Sequence, residues 1–311
     1  MTHPRGAANP LKPQSAKEFT LHGQRVAAER LSPGLHVVAT PIGNLKDVTL
    51  RALGTLAGAD AILAEDTRVT AKLLTHYGVA TPTLAYHEHN AARLRPMILS
   101  RLREGEAIAI VSDAGTPLIS DPGFKLVADA VAAGIAVTSA PGASALLAAL
   151  TIAGLPTDRF FFEGFLPPKS AARRARLAEL ASIPATLVFY EAPSRIAEMI
   201  ADAADMLGSR DACAARELTK LHEEALRGPL HELAAQLAER DSIRGEIVVL
   251  IAPPGADAAD DPASQEAALD EALRAALASS SLKQAVADVA AKTGQPRRVV
   301  YARALALSGK S

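Results

Sequence analysis

The sequence predicts an α/β protein of two domains, a parallel α/β domain followed by a mixed-sheet domain, with a small helical appendage at the C-terminal end. Three observations predict it. The 311 residues exceed the ordinary size of one domain. From Leu35, short runs rich in Val and Ile alternate with longer helical patterns, the grammar of parallel α/β architecture. Beyond Gly154-Leu-Pro156 strand-like runs continue with fewer helices between them, which calls for a mixed sheet.

Residues 1–34 carry Arg5, Lys12, Lys17, Arg25 and Arg30 against Glu18 and Glu29, and read as a basic, disordered arm. The first domain spans 35–154, with strands at 35–39, 61–64, 107–112 and 135–139 and helices at 50–56, 67–77, 91–103, 124–133 and 144–153. The second spans 155–254, with strands at 160–162, 186–190, 212–217 and 246–252 and helices at 170–180, 194–207 and 230–239. An acidic linker follows at 255–264, with Asp257, Asp260 and Asp261. Residues 265–311 close the chain as a helical module. Its segments 281–294 and 295–303 read as helix, Gly turn, helix, compatible with a helix-turn-helix or a plain helical hairpin. Six basic residues after 280 (Lys283, Lys292, Arg297, Arg298, Arg303, Lys310) face Asp288 alone, which favours a polyanion contact.

Composition narrows the function. A single cysteine, Cys213, cannot build an internal disulfide framework and reads as a small buried apolar residue, which fits a reducing cytoplasm. Charges or Pro/Gly interrupt every apolar run before membrane-spanning length. Neither G-x-G-x-x-G nor G-x-x-x-x-G-K-[ST] occurs, so dinucleotide and P-loop chemistry are unsupported.

Four Gly/Pro-shaped loops follow strand ends, where open α/β sheets bind ligands. They are Ala39-Thr-Pro-Ile-Gly-Asn-Leu45, the stretch 111–123, Ala140-Pro-Gly-Ala-Ser-Ala145 and Tyr190-Glu-Ala-Pro-Ser-Arg195. The third opens a helix whose free N–H groups suit a carboxylate.

These loops belong to a wider pattern. Thr40-Pro-Ile-Gly-Asn44, Glu65-Asp-Thr-Arg68, His87-Glu-His-Asn90, Ser112-Asp-Ala-Gly-Thr-Pro-Leu118, Gly164-Phe-Leu-Pro167, Phe189-Tyr-Glu191, Ala215-Arg-Glu-Leu-Thr-Lys220 and the basic stretch 169–176 stand in order along the chain. Together they resemble the RsmI family, the 16S rRNA 2′-O-ribose methyltransferases of the tetrapyrrole (corrin/porphyrin) methylase superfamily. The resemblance runs from Leu35 to Pro253, and the C-terminal helices look like the appendage many members carry. It implies a tetrapyrrole-methylase-like fold, a homodimer, and S-adenosyl-L-methionine held between the domains. It also implies methylation of the ribose of a cytidine customarily numbered 1402 in the 16S rRNA of the small ribosomal subunit.

Carried over loop by loop, the resemblance places Pro41 and Ile42 on the methionine side of the cofactor. Thr116, Pro117 and Ile119 match the superfamily's Gly-Asp-Pro loop, with Thr116 in place of the aspartate and Asp113 nearby as a substitute acceptor. Ser144 and Ala145 meet the cofactor at a helix start, and Tyr190, Ala215 and Glu246 mark backbone that grips the adenine.

A ribose hydroxyl is a poor nucleophile, so a group must take its proton. Candidates are Glu65, His87, Glu88 and Glu217, with Asp66, His89 and Lys220 beside them. Asp66 or Thr67 could equally cap the following helix, with Arg68 meeting a phosphate. His87 and His89 on a strand would share a face, but the residues around them make no zinc set, and a polar loop at the RNA entrance, with Asn90 capping the next helix, is preferred. Arg216-Glu217 and Lys220 read as either catalytic or an intradomain salt bridge. Arg68, Lys169, Arg173, Arg174, Arg176, Lys220, Arg297 and Arg298 are the expected RNA contacts, and no metal is expected. Two other readings share parts of this pattern: a methylase of a corrin or porphyrin precursor, and a non-catalytic ribosome-assembly factor.

Overall fold

The computed structural model describes residues 17–119, 123–240, 242–255, 262–277, 280–293 and 297–308. The first sheet holds β3 (Gly34–Val38), β4 (Ala61–Ala64), β5 (Thr83–Ala85), β6 (Ala107–Val111) and β7 (Val137–Ala140) in the order β5-β4-β6-β3-β7, all parallel. Strands β3, β4 and β6 are buried at every position, as near-continuous apolar runs in a doubly covered sheet should be. Successive side chains serve opposite faces. Ile62 packs with Leu53 and Leu56 of α1 (Leu50–Gly58) and Leu73 of α2 (Thr67–His76). Leu63 packs instead with Ile98 of α3 (Glu88–Arg103) and Leu126 of α4 (Phe124–Ala132). Chain order reverses between β3 and β6, so the loops after these two strands flank the crevice where such sheets bind ligands.

The second sheet has the order β11-β10-β12-β9-β8, from β8 (Phe160–Phe165), β9 (Thr186–Glu191), β10 (Asp211–Arg216), β11 (Glu224–Pro229) and β12 (Ile247–Ile251). Only β8 and β9 are parallel, which makes it mixed. One face carries α6 (Ser170–Leu180), α7 (Ile196–Leu207) and α8 (Leu230–Ala238). The other face receives α5 (Ala145–Ile152): Ala149 and Leu150 join Val188, Cys213, Val248 and Leu250 in one cluster that also takes Ile42 of the first loop. The helix read as closing the first domain thus welds the two domains together. Cys213 is fully buried there, and burial pushes its thiol pKa up.

Three expectations need correction. The basic arm is ordered from residue 17: β1 (Glu18–Leu21) and β2 (Gln24–Ala27) form a hairpin, with Phe19 in the α1/α2 core and Lys17 bound to Asp60 at 2.7 Å. Residues 1–16 lie outside the described residues. Strands β5 and β11 were not expected, and α3 starts at Glu88 instead of 91. The linker ends sooner, since Pro262 opens α9 (Pro262–Leu277), where a missing N–H is harmless. The rest of that acidic stretch, 256–261, lies outside the described residues. Helix α9 then packs with α10 (Leu282–Thr293) and α11 (Arg297–Ser308) around Leu273, Val289, Val300 and Ala304. No described helix is long and apolar enough to cross a membrane.

Candidate active site

The first-domain loops are tied into one frame. Thr40 and Gly115 exchange backbone hydrogen bonds at 2.8 and 3.1 Å, which joins the loops after β3 and β6. Gly115 sits at φ +78°, and a Cβ there would stand 3.2 Å from Ile42. The left-handed backbone selects glycine at this point. The Thr116 hydroxyl donates to the carbonyl of Ala143 at 3.1 Å, tying in the loop before α5. Asp113 accepts the backbone N–H of Asp66 at 2.8 Å and so fastens the loop after β4.

A cleft of about 450 Å³ opens where this frame meets the second sheet. Of the cofactor-loop candidates, it is lined by Ile42, Asp113, Thr116, Ile119, Ser144, Ala145, Tyr190 and Glu246. Pro41, Pro117 and Ala215 do not line it. Pro117 is buried behind the loop, and Ala215 lies in the sheet with no exposure. The reading from sequence missed Phe165 and Glu191. Phe165 stands edge-on to Tyr190 with ring centroids 5.8 Å apart, and Phe162 adds a second such contact at 4.9 Å. The segment Gly164-Phe-Leu-Pro167 signalled it, but a strand ending at 162 hid the outward ring. Glu191 is buried against Arg195 at 3.2 Å, and burial holds its carboxyl above the usual range.

A second cavity, about 650 Å³, adjoins on the first-domain side, lined by Glu65, Tyr86, His87, Glu88, His89, Phe124 and Lys125 among others. Glu65 lines both cavities. His87 and its neighbours are not on a strand: His87 is the N-cap of α3, and Glu88 and His89 fall in its first turn. Asn90 does cap, but from the third helical position. Its Oδ1 accepts the His87 N–H at 2.9 Å, while Nδ2 donates to the Ala85 carbonyl at 3.0 Å and approaches His87 Nε2 at 3.2 Å. Two of those partners fix which end of the amide is nitrogen, so in the third contact His87 Nε2 is the acceptor. The Asn90 amide thus occupies the lone pair of Nε2, which counts against His87 as the proton acceptor. No group of three or more His, Cys, Asp or Glu placed to hold a metal gathers among the described residues.

Glu217 is not brought to either cavity. It sits at φ +51°, with Thr219 at +66°, in a tight loop after β10. Its carboxylate takes Lys220 Nζ at 2.8 Å and the Glu246 N–H at 3.2 Å, and the Lys220 hydrogen bond lowers its pKa. A carboxylate so held is a poor base, so the intradomain salt-bridge alternative fits and Glu217 is withdrawn as a proton acceptor. Lys220 also reaches Glu246 at 3.2 Å, linking this knot to the rim of the first cleft. Asp66 caps α2 through the Arg68 N–H and binds the Arg68 guanidinium, whose hydrogen bonds lower its pKa to about 2.

The family model for tetrapyrrole (corrin/porphyrin) methylases matches residues 34–234, and that for the RsmI C-terminal HTH domain matches 263–308. A ribosomal RNA small subunit methyltransferase I of Mesorhizobium japonicum is 47% identical over 92% of this chain and 96% of its own. The relative of the same name from Xylella fastidiosa strain Temecula1 is 50% identical over 87% of this chain and 98% of its own. This chain belongs to the ribosomal RNA small subunit methyltransferase I family. Among solved structures, the fold is shared with cobalt precorrin-4 methyltransferase (TM-score 0.53, 16% identity, 70% of this chain and 94% of that one). Diphthine synthase shares it too (TM-score 0.55, 15% identity, 70% and 89%).

For a member of the methyltransferase I family, the cationic run on α6 holds a surprise. Arg173 is 1% exposed and bound to Asp202 at 2.6 Å. Arg174 pairs with Asp205 at 2.6 Å, and Arg176 with Glu163 at 2.6 Å and Glu179 at 2.7 Å. Their charge fastens α6 to α7 and β8, so these three arginines are corrected from RNA contacts to internal ion pairs; Lys169, the exposed N-cap of α6, makes no such pair among the described residues.

Proposed function

We propose that this chain transfers the methyl group of S-adenosyl-L-methionine to the ribose 2′-hydroxyl of a cytidine, customarily numbered 1402, in 16S rRNA of the small ribosomal subunit. The observation that carries the reading is Glu65, one carboxylate in the wall of two adjoining cavities, with a cofactor-sized cleft on one side and a polar, open cavity on the other. The first cleft fits the cofactor. Helix α5 opens on Ser144 with no side-chain cap, so its first amides suit a carboxylate, while Tyr190 and Phe165 offer aromatic surface for an adenine. Bound there, the cofactor supplies a methyl group on a positively charged sulfur.

What this chain contributes is placement and a proton path. The acceptor nucleotide enters the second cavity, and its 2′-oxygen faces the first across Glu65. With the cofactor held in the first cleft, its methyl group would be supplied to the 2′-oxygen, and Glu65 would take the hydroxyl proton. Most of the acceleration comes from holding the two reacting atoms in line. His87, locked by Asn90, keeps the N-terminal turn of α3 in shape beside the acceptor. The chain works as a homodimer in the cytoplasm: among the described residues β7 is an unpaired sheet edge, and Leu147 and Val131 stand 51% and 61% exposed on α5 and α4.

Glu65→Gln tests the assignment. It keeps the shape and removes the base, so single-turnover transfer should fall roughly 100-fold with cofactor affinity unchanged. Wild-type turnover in Glu65→Gln would remove Glu65 from the proton path.

A further inference from the structure

Three basic stretches could face a polyanion, and in two of them most of the described cations are paired internally. At the N-terminal side Lys17 is bound to Asp60 and Arg25 to Glu18. On α6 the arginines are bound to Asp202, Asp205, Glu163 and Glu179. The C-terminal module spends two cations in the same way, since Arg303 and Arg274 converge on Asp270.

Lys283, Arg297 and Arg298 are different. They line a groove of about 540 Å³ between the start of α10 and the start of α11, and no acidic residue among the described residues lines it with them. None of the three meets a carboxylate among the described residues. Asp288, the one acid after residue 280, has its carboxylate engaged by the Gln284 amide at 2.9 Å. Tyr301 adds a ring 47% exposed to the same groove. The backbones carrying these groups are held by a packed core, with Leu273, Val300 and Ala304 fully buried. Three like charges fixed around one concavity repel one another until an anion neutralises them. Cations around one groove beside an exposed aromatic ring match a nucleic-acid strand, phosphates on the charges and a base or sugar on the ring.

We infer that the groove between α10 and α11 is an RNA-backbone site, built on Lys283, Arg297, Arg298 and Tyr301, which holds rRNA at a second point besides the methylated nucleotide. The inference rests on the rRNA reading above and adds to it where that RNA is gripped.

The test uses the full chain with Lys283→Ala, Arg297→Ala and Arg298→Ala combined, titrated against naked 16S rRNA and against assembled small subunits over a range of salt. Each lost phosphate contact to a single strand removes about 0.7 from the salt slope, so the slope should drop by roughly 2 on both substrates. Affinity should fall more than about 10-fold, with cofactor affinity and melting temperature unchanged. Arg297→Lys with Arg298→Lys should keep the slope. An unchanged slope and affinity in the triple-alanine chain would overturn the inference while leaving the methyl-transfer reading intact. Loss on assembled subunits alone would also overturn it, by pointing to a ribosomal protein. A wild-type chain that binds no rRNA at all would instead fail the substrate reading itself.

Discussion

At the scale of single residues, this chain holds many of its charges in internal pairs. Glu224 is the clearest case: both carboxylate oxygens take Arg240 at 2.8 Å, and Arg216 adds a third bond at 3.1 Å. The Arg240 hydrogen bonds, then those of Arg216, hold its pKa at about 2. The folded value lies below the unfolded one of about 4.3, so the stabilisation is present above that value and is lost as pH falls toward 2. Glu224→Gln should therefore be less stable than the parent by about 1–2 kcal/mol near neutral pH, a figure reduced for solvent screening. In thermal melts the gap should close between about pH 5 and pH 2; a gap independent of pH would contradict the ion-pair origin. The same economy explains what the sequence concealed. Arg173 and Asp202 stand 29 positions apart, and only the fold brings them within 2.6 Å. A run of arginines therefore looks cationic in sequence and is neutral in space. Asp66 was legible as a cap because its partner is two residues away.

At the scale of elements, the knot after β10 shows how loops from two domains are fitted together. Glu217 and Thr219 hold left-handed backbone, which costs a non-glycine residue about 1 kcal/mol or more, and two glycines make room for them. A Cβ on Gly43 would meet Lys220 Cγ at 2.5 Å and Cε at 2.8 Å. Gly43→Ala should displace Lys220 from Glu217 and Glu246, at a cost of about 1–2 kcal/mol in stability, and weaken cofactor binding several-fold. Calorimetric titration of the cofactor checks this. Adding Lys220→Ala removes the clashing side chain, so the double variant should lose less than the two single losses combined. Strict additivity would mean the two residues do not press on each other. Element by element, the fully buried strands β3, β4 and β6 were readable as unbroken apolar runs. Strand β5 was not, because it has three residues, and β11 was not, because a half-exposed edge strand with Gly228 and Pro229 carries no apolar alternation. The start of α3 was missed because its cap is a histidine, with the Asn three residues inside.

At the scale of the whole molecule, two sheets of different grammar share one helix. Helix α5 begins at the first-domain loops and packs on the second sheet, so the cleft between the domains is framed by a joint that cannot open without exposing Ala149, Leu150 and Ile42. Glu65 lines both adjoining cavities, the proposed donor and acceptor sites, and the account stands or falls on what passes between them. The most direct measurement incubates the chain with isotope-labelled S-adenosyl-L-methionine in parallel with small subunits lacking the modification, naked 16S rRNA, and a tetrapyrrole precursor, then maps the label by resistance to alkaline cleavage. The account predicts label at one alkali-resistant cytidine of the rRNA. Label in the tetrapyrrole alone, or on a base that leaves the backbone alkali-sensitive, would contradict it.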